Sequence, residues 1–233
     1  MQTTPVPPLA HRSPSISVTL AAHFERLIAT GGLPPGARLP SERDLAASMS
    51  VSRASLREAM AELENKHLIE RTPGRGTIVV EASAEEMELR GLAAGSAEQD
   101  DAAELRLVVE PSIAALAAQR ATESNLLQLW EVLDASTATL KPARSLELDL
   151  EFHLLLAHAA GNPLLVTLHG LMSEWTMPVR THSHSTRAGR THSVAWHRAI
   201  YDAVAAHHPD AARAAMENHL ADVRHLIAAE TSR

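Results

Sequence analysis

The chain contains no cysteine among its 233 residues. This absence excludes disulfide bonds, thiolate metal ligands and a cysteine nucleophile. Aromatic residues are also scarce, at 3% of the sequence, while hydrophobic residues as a whole reach 45%. The cores must therefore consist mainly of Leu, Ala, Val and Ile, and this alanine-rich composition favours helices.

Long apolar runs are missing too, since the sequence has no stretch of about 18 consecutive apolar residues and no charged-then-apolar leader. We therefore expect neither a membrane span nor a secretory signal, and we expect a cytoplasmic protein. The G-x-G-x-x-G, P-loop and G-x-S-x-G motifs are absent as well. The length allows one to two domains at roughly 100 to 200 residues each.

The net charge of −7 is unevenly distributed. Residues 1–82 hold 9 Lys+Arg against 8 Asp+Glu, a net of +1, whereas the remainder holds 12 against 20, a net of −8. DNA affinity depends on where the cations lie, so the acidic total does not exclude a DNA-binding protein. A nearly neutral first part implies modest non-specific binding per monomer and a need for dimerisation over two half-sites.

Two short helical patterns and a Gly-rich hairpin follow one another between Pro40 and Val80. Ser41 precedes an apolar-periodic segment, with Asp44 three residues on, which is the signature of a capped helix start. Ser52 is a second N-cap, for a helix from Arg53 to about Lys66. Two helices joined by so short a turn predict a helix-turn-helix.

The second of these helices has two faces. Arg53 and Arg57 lie four residues apart near its N-terminus, where side chains of a recognition helix reach guanine edges or phosphates in the major groove. The hairpin that follows has a basic tip, because Arg75 lies between two glycines, and such a wing can contact the DNA backbone or a minor groove. The inward face of the helix is apolar and comprises Leu56, Ala59, Met60 and Leu63.

This region resembles the winged-helix domain of the GntR family of bacterial transcription regulators. The resemblance lies in the run PPGARLPSERDLAASMSVSRASLREAMAELENKHLIERTPGRGTIVV, which matches the family pattern of PG-x-x-LPSER-x-LA, VSR-x-x-x-REA, L-x-x-x-GLI and GRGT-x-V at nearly every position. His67 departs from the pattern, since the family usually has Gly there. The resemblance implies DNA contacts by Arg43, Ser52, Arg53, Ser55, Arg57, Gly74 and Arg75.

The predicted fold is mainly α: a winged helix-turn-helix of three helices and a small β-hairpin, followed by an all-α bundle of about six helices. The expected segments are a disordered tail at 1–14, the winged helix-turn-helix (the head) at 15–82, a linker at 83–100 and the bundle at 101–230. Within the bundle, THSHSTRAGR at 181–190 predicts a polar break with surface histidines at His182 and His184.

Histidine is abundant, with fourteen in the chain and eleven of them after residue 82. Asp149 and His153 lie four apart on one predicted helix, near its apolar side, while His197 and His219 lie on two later helices. One carboxylate and three imidazoles from three helices can converge on a divalent transition metal such as Zn²⁺, Ni²⁺ or Mn²⁺. The spacing alone also fits histidines that are merely hydrogen-bonded in a core.

A second resemblance, over about residues 100–230, is to the FCD domain, the FadR-type ligand-binding domain commonly attached to GntR heads. It rests on LRLVVEPSIAALAAQRA, LELDLEFHLLLAHAAGNPLL and WHRAIYDAVAAHHPDAARAAMENHL. It implies metal ligation by Asp149, His153, His197 and His219. Trp196 departs from the pattern, which usually has Glu, as does AAHHPD, which replaces a tighter turn.

The FCD resemblance also suggests two further roles. Arg106 is available to pair with an effector carboxylate, although a surface ion pair with Glu110 fits the same spacing. Asn162 either reaches the ligand pocket or caps the helix that follows, and we favour the cap.

These expectations combine into a homodimeric transcription regulator, more often a repressor in this family, that binds pseudo-palindromic double-stranded DNA. A small organic acid bound at or near the metal would then control operator binding. Three alternatives remain open: a metal-dependent enzyme, a metal sensor without an organic effector, and a purely structural ion.

Overall fold

The computed structural model describes residues 14–72, 76–81, 83–84, 87–88 and 99–231, with side chains described over 101–226 in the last range. The predicted tail at 1–14 lies outside these residues except for its last position, and so does most of the predicted linker. The wing tip, Gly74 and Arg75, also lies outside them.

The head contains three helices and a small sheet. Helix α1 spans Ile16–Ala29, α2 spans Glu42–Ser48 and α3 spans Arg53–Asn65. Three strands, β1 (Arg38–Leu39), β2 (Ile69–Thr72) and β3 (Gly76–Val79), form an antiparallel sheet in the order β1-β3-β2. The predicted hairpin is therefore the larger part of a three-stranded sheet, whose two-residue first strand is too short to show a period in the sequence.

Both predicted helix starts in the head are confirmed. The Ser41 hydroxyl accepts a hydrogen bond from the Asp44 amide at 3.2 Å, and the Ser52 hydroxyl accepts from the Ser55 amide at 3.0 Å. The chain leaves α3 through His67, whose φ is +56°. This is the left-handed conformation that glycine adopts without strain, which explains the usual Gly at this position of the motif.

The core of the head forms where α1 and α3 pack together. Leu20 and Phe24 of α1 are 5% and 4% exposed, and Ile69 of β2 is 1% exposed. The predicted inner face of α3 is confirmed, since each of its members is at most 1% exposed: Leu56, Ala59, Met60 and Leu63.

The bundle has seven helices in the described part of the chain, rather than about six. They are α4 (Gln99–Arg120), α5 (Glu123–Ala135), α6 (Pro142–Ala159), α7 (Pro163–Trp175), α8 (Met177–Ser185), α9 (Arg187–Ala205) and α10 (Pro209–Thr231). Pro111 lies inside α4 without ending it. As predicted, Asn162 caps α7, because its side chain accepts from the Leu164 amide at 3.1 Å.

The predicted polar break at 181–190 is wrong, because nearly all of it is helical. Helices α8 and α9 are separated by Thr186 alone, whose hydroxyl accepts from the Gly189 amide at 3.1 Å and so caps α9. Gly189 lies so close to the Ser183 carbonyl that any Cβ there would clash with it. This close approach turns the chain within one residue and places the buried side of α8 against the bundle.

Helix α6 lies at the centre of the bundle and contacts α4, α5, α7, α8 and α9. Phe152 in its middle is fully buried, as are Leu129 of α5, Ile200 of α9 and Met216 of α10. Side chains on the inner side of α6 therefore meet residues from every neighbouring helix. None of the helices in the described ranges is long and apolar enough to cross a membrane.

Candidate functional site

Four side chains meet beside the centre of α6. Asp149 and His153 lie one helical turn apart on α6, His197 comes from α9 and His219 from α10. Each offers one ligand atom, these atoms all lie within 4.8 Å of one another, and the four residues are 2–4% exposed. The structure thus brings together all four residues that the sequence predicts as metal ligands.

The polar atoms of this cluster suit a metal ion. Both ring nitrogens of His219 are buried without a hydrogen-bond partner among the described residues. The Nε2 atoms of His153 and His197 lie 3.2 Å apart, and His197 Nε2 is 3.3 Å from Asp149 Oδ1. A cation would satisfy these nitrogens, and one carboxylate with three imidazoles is a donor set for Zn²⁺, Ni²⁺ or Mn²⁺.

Two buried arginines surround the cluster. Arg180 of α8 donates to Asp149 Oδ2 at 2.7 Å and to Glu110 Oε1 at 2.8 Å, and Arg106 Nε donates to Glu110 Oε1 at 2.9 Å. Arg106 is 5% exposed and Glu110 1%. Their predicted ion pair therefore exists, but it is buried beside the cluster rather than on the surface. Two cations balance two carboxylates here, as buried charges require.

Two histidines without a predicted role also lie in this site. His184 is buried rather than exposed; its Nε2 is 3.2 Å from Asp149 Oδ1, and its Nδ1 lies 2.8 Å from Ser145 Oγ. His169 of α7 is 2% exposed, with Nδ1 3.9 Å from Glu110 Oε1. His184 therefore shares Asp149 Oδ1 with the predicted ligands His153 and His197, and His169 lies beside Glu110, as residues around metal sites commonly do.

Burial and charge set protonation states that metal binding needs. Burial alone would raise the pKa of Asp149, but Arg180 and hydrogen bonds from His184 and His197 hold that pKa well below its ordinary value. Burial lowers the pKa of His153 well below its ordinary value, and Arg180 adds to this effect. The carboxylate is therefore ionised and the imidazole neutral at neutral pH, so no proton must leave either group before a metal binds.

The cavity beside the cluster is small, at about 10 Å³. At its edge, Asp222 Oδ2 accepts from Trp196 Nε1 at 3.0 Å and lies 2.6 Å from His192 Nδ1, which joins α9 to α10. This space holds about one water molecule, so an organic ligand enters only if these helices separate. The polar lining includes Arg106, Arg180, His184, Ser193 and His219.

The predicted DNA-contacting residues of the described head are exposed, except for Ser55, which is half-buried. Arg43 and Arg57 are 81% and 63% exposed in their side chains, with Arg43 Nε 3.3 Å from Asp44 and Arg57 Nε 3.5 Å from Glu42. Arg53 at the start of α3 is exposed and makes no ion pair within the described residues. Arg53 and Arg57 lie in the N-terminal part of α3, where a recognition helix presents side chains to the major groove, and Arg43 lies on the preceding helix α2.

A winged-helix head joined to an all-α bundle defines a DNA-binding regulator of two domains. The sequence matches "Bacterial regulatory proteins, gntR family" over residues 16–79 and "FCD domain" over residues 101–222. The chain therefore belongs to the GntR family of bacterial regulatory proteins and carries an FCD domain. These are families of transcription regulators, so the protein is not a metal-dependent enzyme.

Relatives extend the match over nearly the whole chain. It is 32% identical over 228 residues to the HTH-type transcriptional repressor NanR of Cronobacter sakazakii, covering 93% of this chain and 86% of that protein. It is also 32% identical to NanR of Escherichia coli K12, covering 93% and 85%. Among solved structures, a GntR of Streptococcus agalactiae is 30% identical, with a TM-score of 0.49 and coverage of 90% and 99%.

Proposed function

We propose that the protein is a homodimeric transcriptional repressor that binds a pseudo-palindromic operator through its head, and whose binding responds to a divalent transition metal and a small carboxylate effector in the bundle. The observation that carries this proposal is the convergence of Asp149, His153, His197 and His219, with ligand atoms within 4.8 Å, behind an exposed basic helix start. Repression is proposed because the curated relatives are repressors by name.

The metal would be held by those four residues and would supply a positive charge to which an effector carboxylate binds. Arg106 lies next to the cluster and could bind the same carboxylate bidentately. It would then have to give up part of its contact with Glu110, 2.9 Å away. An effector would therefore displace a charged side chain of α4, which links occupancy of the site to helix position.

Helix α6 connects this site with the head. On one side it carries Asp149 and His153, and on another Glu151, whose Oε1 accepts from Arg26 Nε of α1 at 2.6 Å. A second acid, Glu131 of α5, lies 3.2 Å from the same guanidinium. Any shift of α6 on metal or effector binding would pull on α1, and α1 packs directly against the recognition helix α3.

A metal sensor without an organic effector is the second candidate. The observation that favours it is the size of the cavity beside the cluster, about 10 Å³, which admits an ion and a water but no organic acid without rearrangement. Under this alternative, metal alone would change operator affinity.

The DNA-binding assignment is tested with an operator duplex selected by the protein from a random pool. Arg53→Ala should weaken binding by about 1–3 kcal/mol, because it removes one exposed cation from the start of α3. Fluorescence anisotropy at fixed salt measures the change, and Arg187→Ala, an exposed arginine on α9, is the matched control. Equal affinities of Arg53→Ala and wild type would refute the assignment of α3 as the recognition helix.

A further inference from the structure

A second cavity of the described chain lies between the head and the bundle, away from the metal cluster. Its volume is about 240 Å³, against about 10 Å³ beside the cluster. One water needs only roughly 10–15 Å³, so this cavity has room for a small organic molecule. Its walls come from the end of α1, the end of α3, the turn between α4 and α5, and the C-terminal part of α6.

One wall of this junction cavity is a polar network around Glu25. Glu25 of α1 is 5% exposed and accepts hydrogen bonds from Gln128 Nε2 at 2.7 Å, Asn125 Nδ2 at 2.9 Å and Ser124 Oγ at 2.8 Å. It also pairs with Lys66, the residue that directly follows α3. This acid therefore has no need of a cationic ligand.

Two other groups at the cavity have hydrogen-bonding or charge-pairing capacity to spare, and one of them, Arg120, is an exposed residue. Gln128 is 2% exposed, and its Oε1 accepts no hydrogen bond from any described residue. Arg120 donates through Nη1 to the Ala160 carbonyl at 2.7 Å but has no carboxylate partner in the described ranges. The cavity thus presents one buried acceptor that lacks a donor and one guanidinium that lacks an anion.

His158 also lines the cavity and provides a hydrogen-bond donor that carries no charge. Burial, with a further contribution from Lys66, lowers the pKa of His158 to about 4, so its imidazole is neutral at neutral pH. Lys66 contacts both Glu25 and Glu62, and these three groups together carry one net negative charge. Among the charged residues that line the cavity, Arg120 is the one without a partner of opposite charge in the described ranges.

We propose that the junction cavity is a second ligand site, which binds a small oxyanion that also carries a hydrogen-bond donor. Arg120 pairs with the oxyanion, and Gln128 Oε1 accepts from the ligand's hydroxyl or protonated oxygen. A hydroxycarboxylate and a phosphate group share this chemistry. Because head and bundle both line the cavity, a bound ligand favours the docked arrangement of the head and changes operator affinity independently of the metal.

The test uses full-length protein from which metal has been removed by chelator and the chelator removed by dialysis. Glycolate and inorganic phosphate are titrated separately at matched ionic strength, and binding is measured by calorimetry and thermal shift. We expect at least one of them to bind with a dissociation constant of about 1 mM. Binding of glycolate alone identifies a carboxylate site and binding of phosphate alone a phosphate site, and either supports the proposal.

Three variants assign the binding to this cavity. Arg120→Gln should weaken binding at least about tenfold, because a charge-assisted pair is lost. Ala29→Leu should abolish it by filling the cavity while leaving every charge in place, and it keeps the test decisive if Arg120→Gln fails to fold. Arg187→Gln, an exposed arginine far along the bundle, should bind as wild type does.

The proposal is overturned if wild type binds neither probe, in which case the cavity holds only water. It is equally overturned if Ala29→Leu binds as tightly as wild type, since the anion then lies elsewhere. Neither result would bear on the metal cluster, because the junction cavity shares none of its residues with the four predicted ligands.

Discussion

Removal of one imidazole, in His158→Leu, should make the protein less sensitive to acid. The folded protein holds the pKa of His158 at about 4, from an ordinary value of 6.5, chiefly through burial. As pH falls below 6.5, the unfolded chain takes up a proton at this position and the folded chain does not. The free energy of unfolding therefore falls with pH, and this loss is complete only near pH 4.

The size of the effect follows from the same pKa values. One histidine contributes about 1.4 kcal/mol per pH unit where only the unfolded chain is protonated. Between pH 7 and pH 5 this amounts to about 2 kcal/mol, after allowing for partial protonation at either end. Wild type should lose that much more stability over this interval than His158→Leu. Other buried histidines, His169 among them, destabilise both proteins equally on acidification.

Urea unfolding of metal-free protein at pH 7 and pH 5, followed by circular dichroism, measures the difference. His158→Gln is the control, because glutamine keeps a polar side chain but cannot titrate. Both variants should show the same reduced pH dependence, whatever their absolute stability. If both lose as much stability as wild type between these pH values, the argument that His158 is held neutral by burial is wrong.

Two further predictions concern backbone conformation. Gly189→Ala should destabilise the fold by about 1–3 kcal/mol, because a Cβ would clash with the Ser183 carbonyl where α8 meets α9; thermal unfolding measures it, and an unchanged melting temperature would contradict the close approach. His67→Gly should stabilise the head by about 1 kcal/mol, because it relieves a φ of +56° at the end of α3. Urea unfolding at neutral pH measures this change. A loss of stability would show that the His67 side chain makes a contact that stabilises the fold by more than the backbone strain costs.

Much of the head could be predicted because its signals are local. The caps at Ser41 and Ser52 each depend on a serine and a backbone amide three residues later. The metal-ligand candidates could also be predicted from the sequence. The four-residue spacing places Asp149 and His153 on one helical face, and the FCD resemblance implies His197 and His219. Such features can be predicted because the information needed lies in residues close together in the sequence or in a short motif.

The predictions that are wrong concern side chains whose partners lie far away along the chain. The polar composition of 181–190 predicts a surface break, yet His184 is buried because Ser145 and Asp149, more than thirty residues earlier, satisfy its two ring nitrogens. Arg180 is buried for the same reason, since its partners lie on α4 and α6. Hydrophobic periodicity cannot reveal such charges, because their burial depends on tertiary partners.

The most direct test of the regulatory proposal is the operator affinity of one protein preparation in three states: metal-free, loaded with Zn²⁺, and loaded with Zn²⁺ in the presence of a panel of small carboxylates. We predict that an effective carboxylate weakens operator binding by about 5- to 150-fold, and that His153→Ala abolishes this response. A change produced by Zn²⁺ alone would instead identify a metal sensor. The same operator affinity in all three states, for a protein that calorimetry shows to bind Zn²⁺, would contradict control of the head by the Asp149, His153, His197 and His219 cluster.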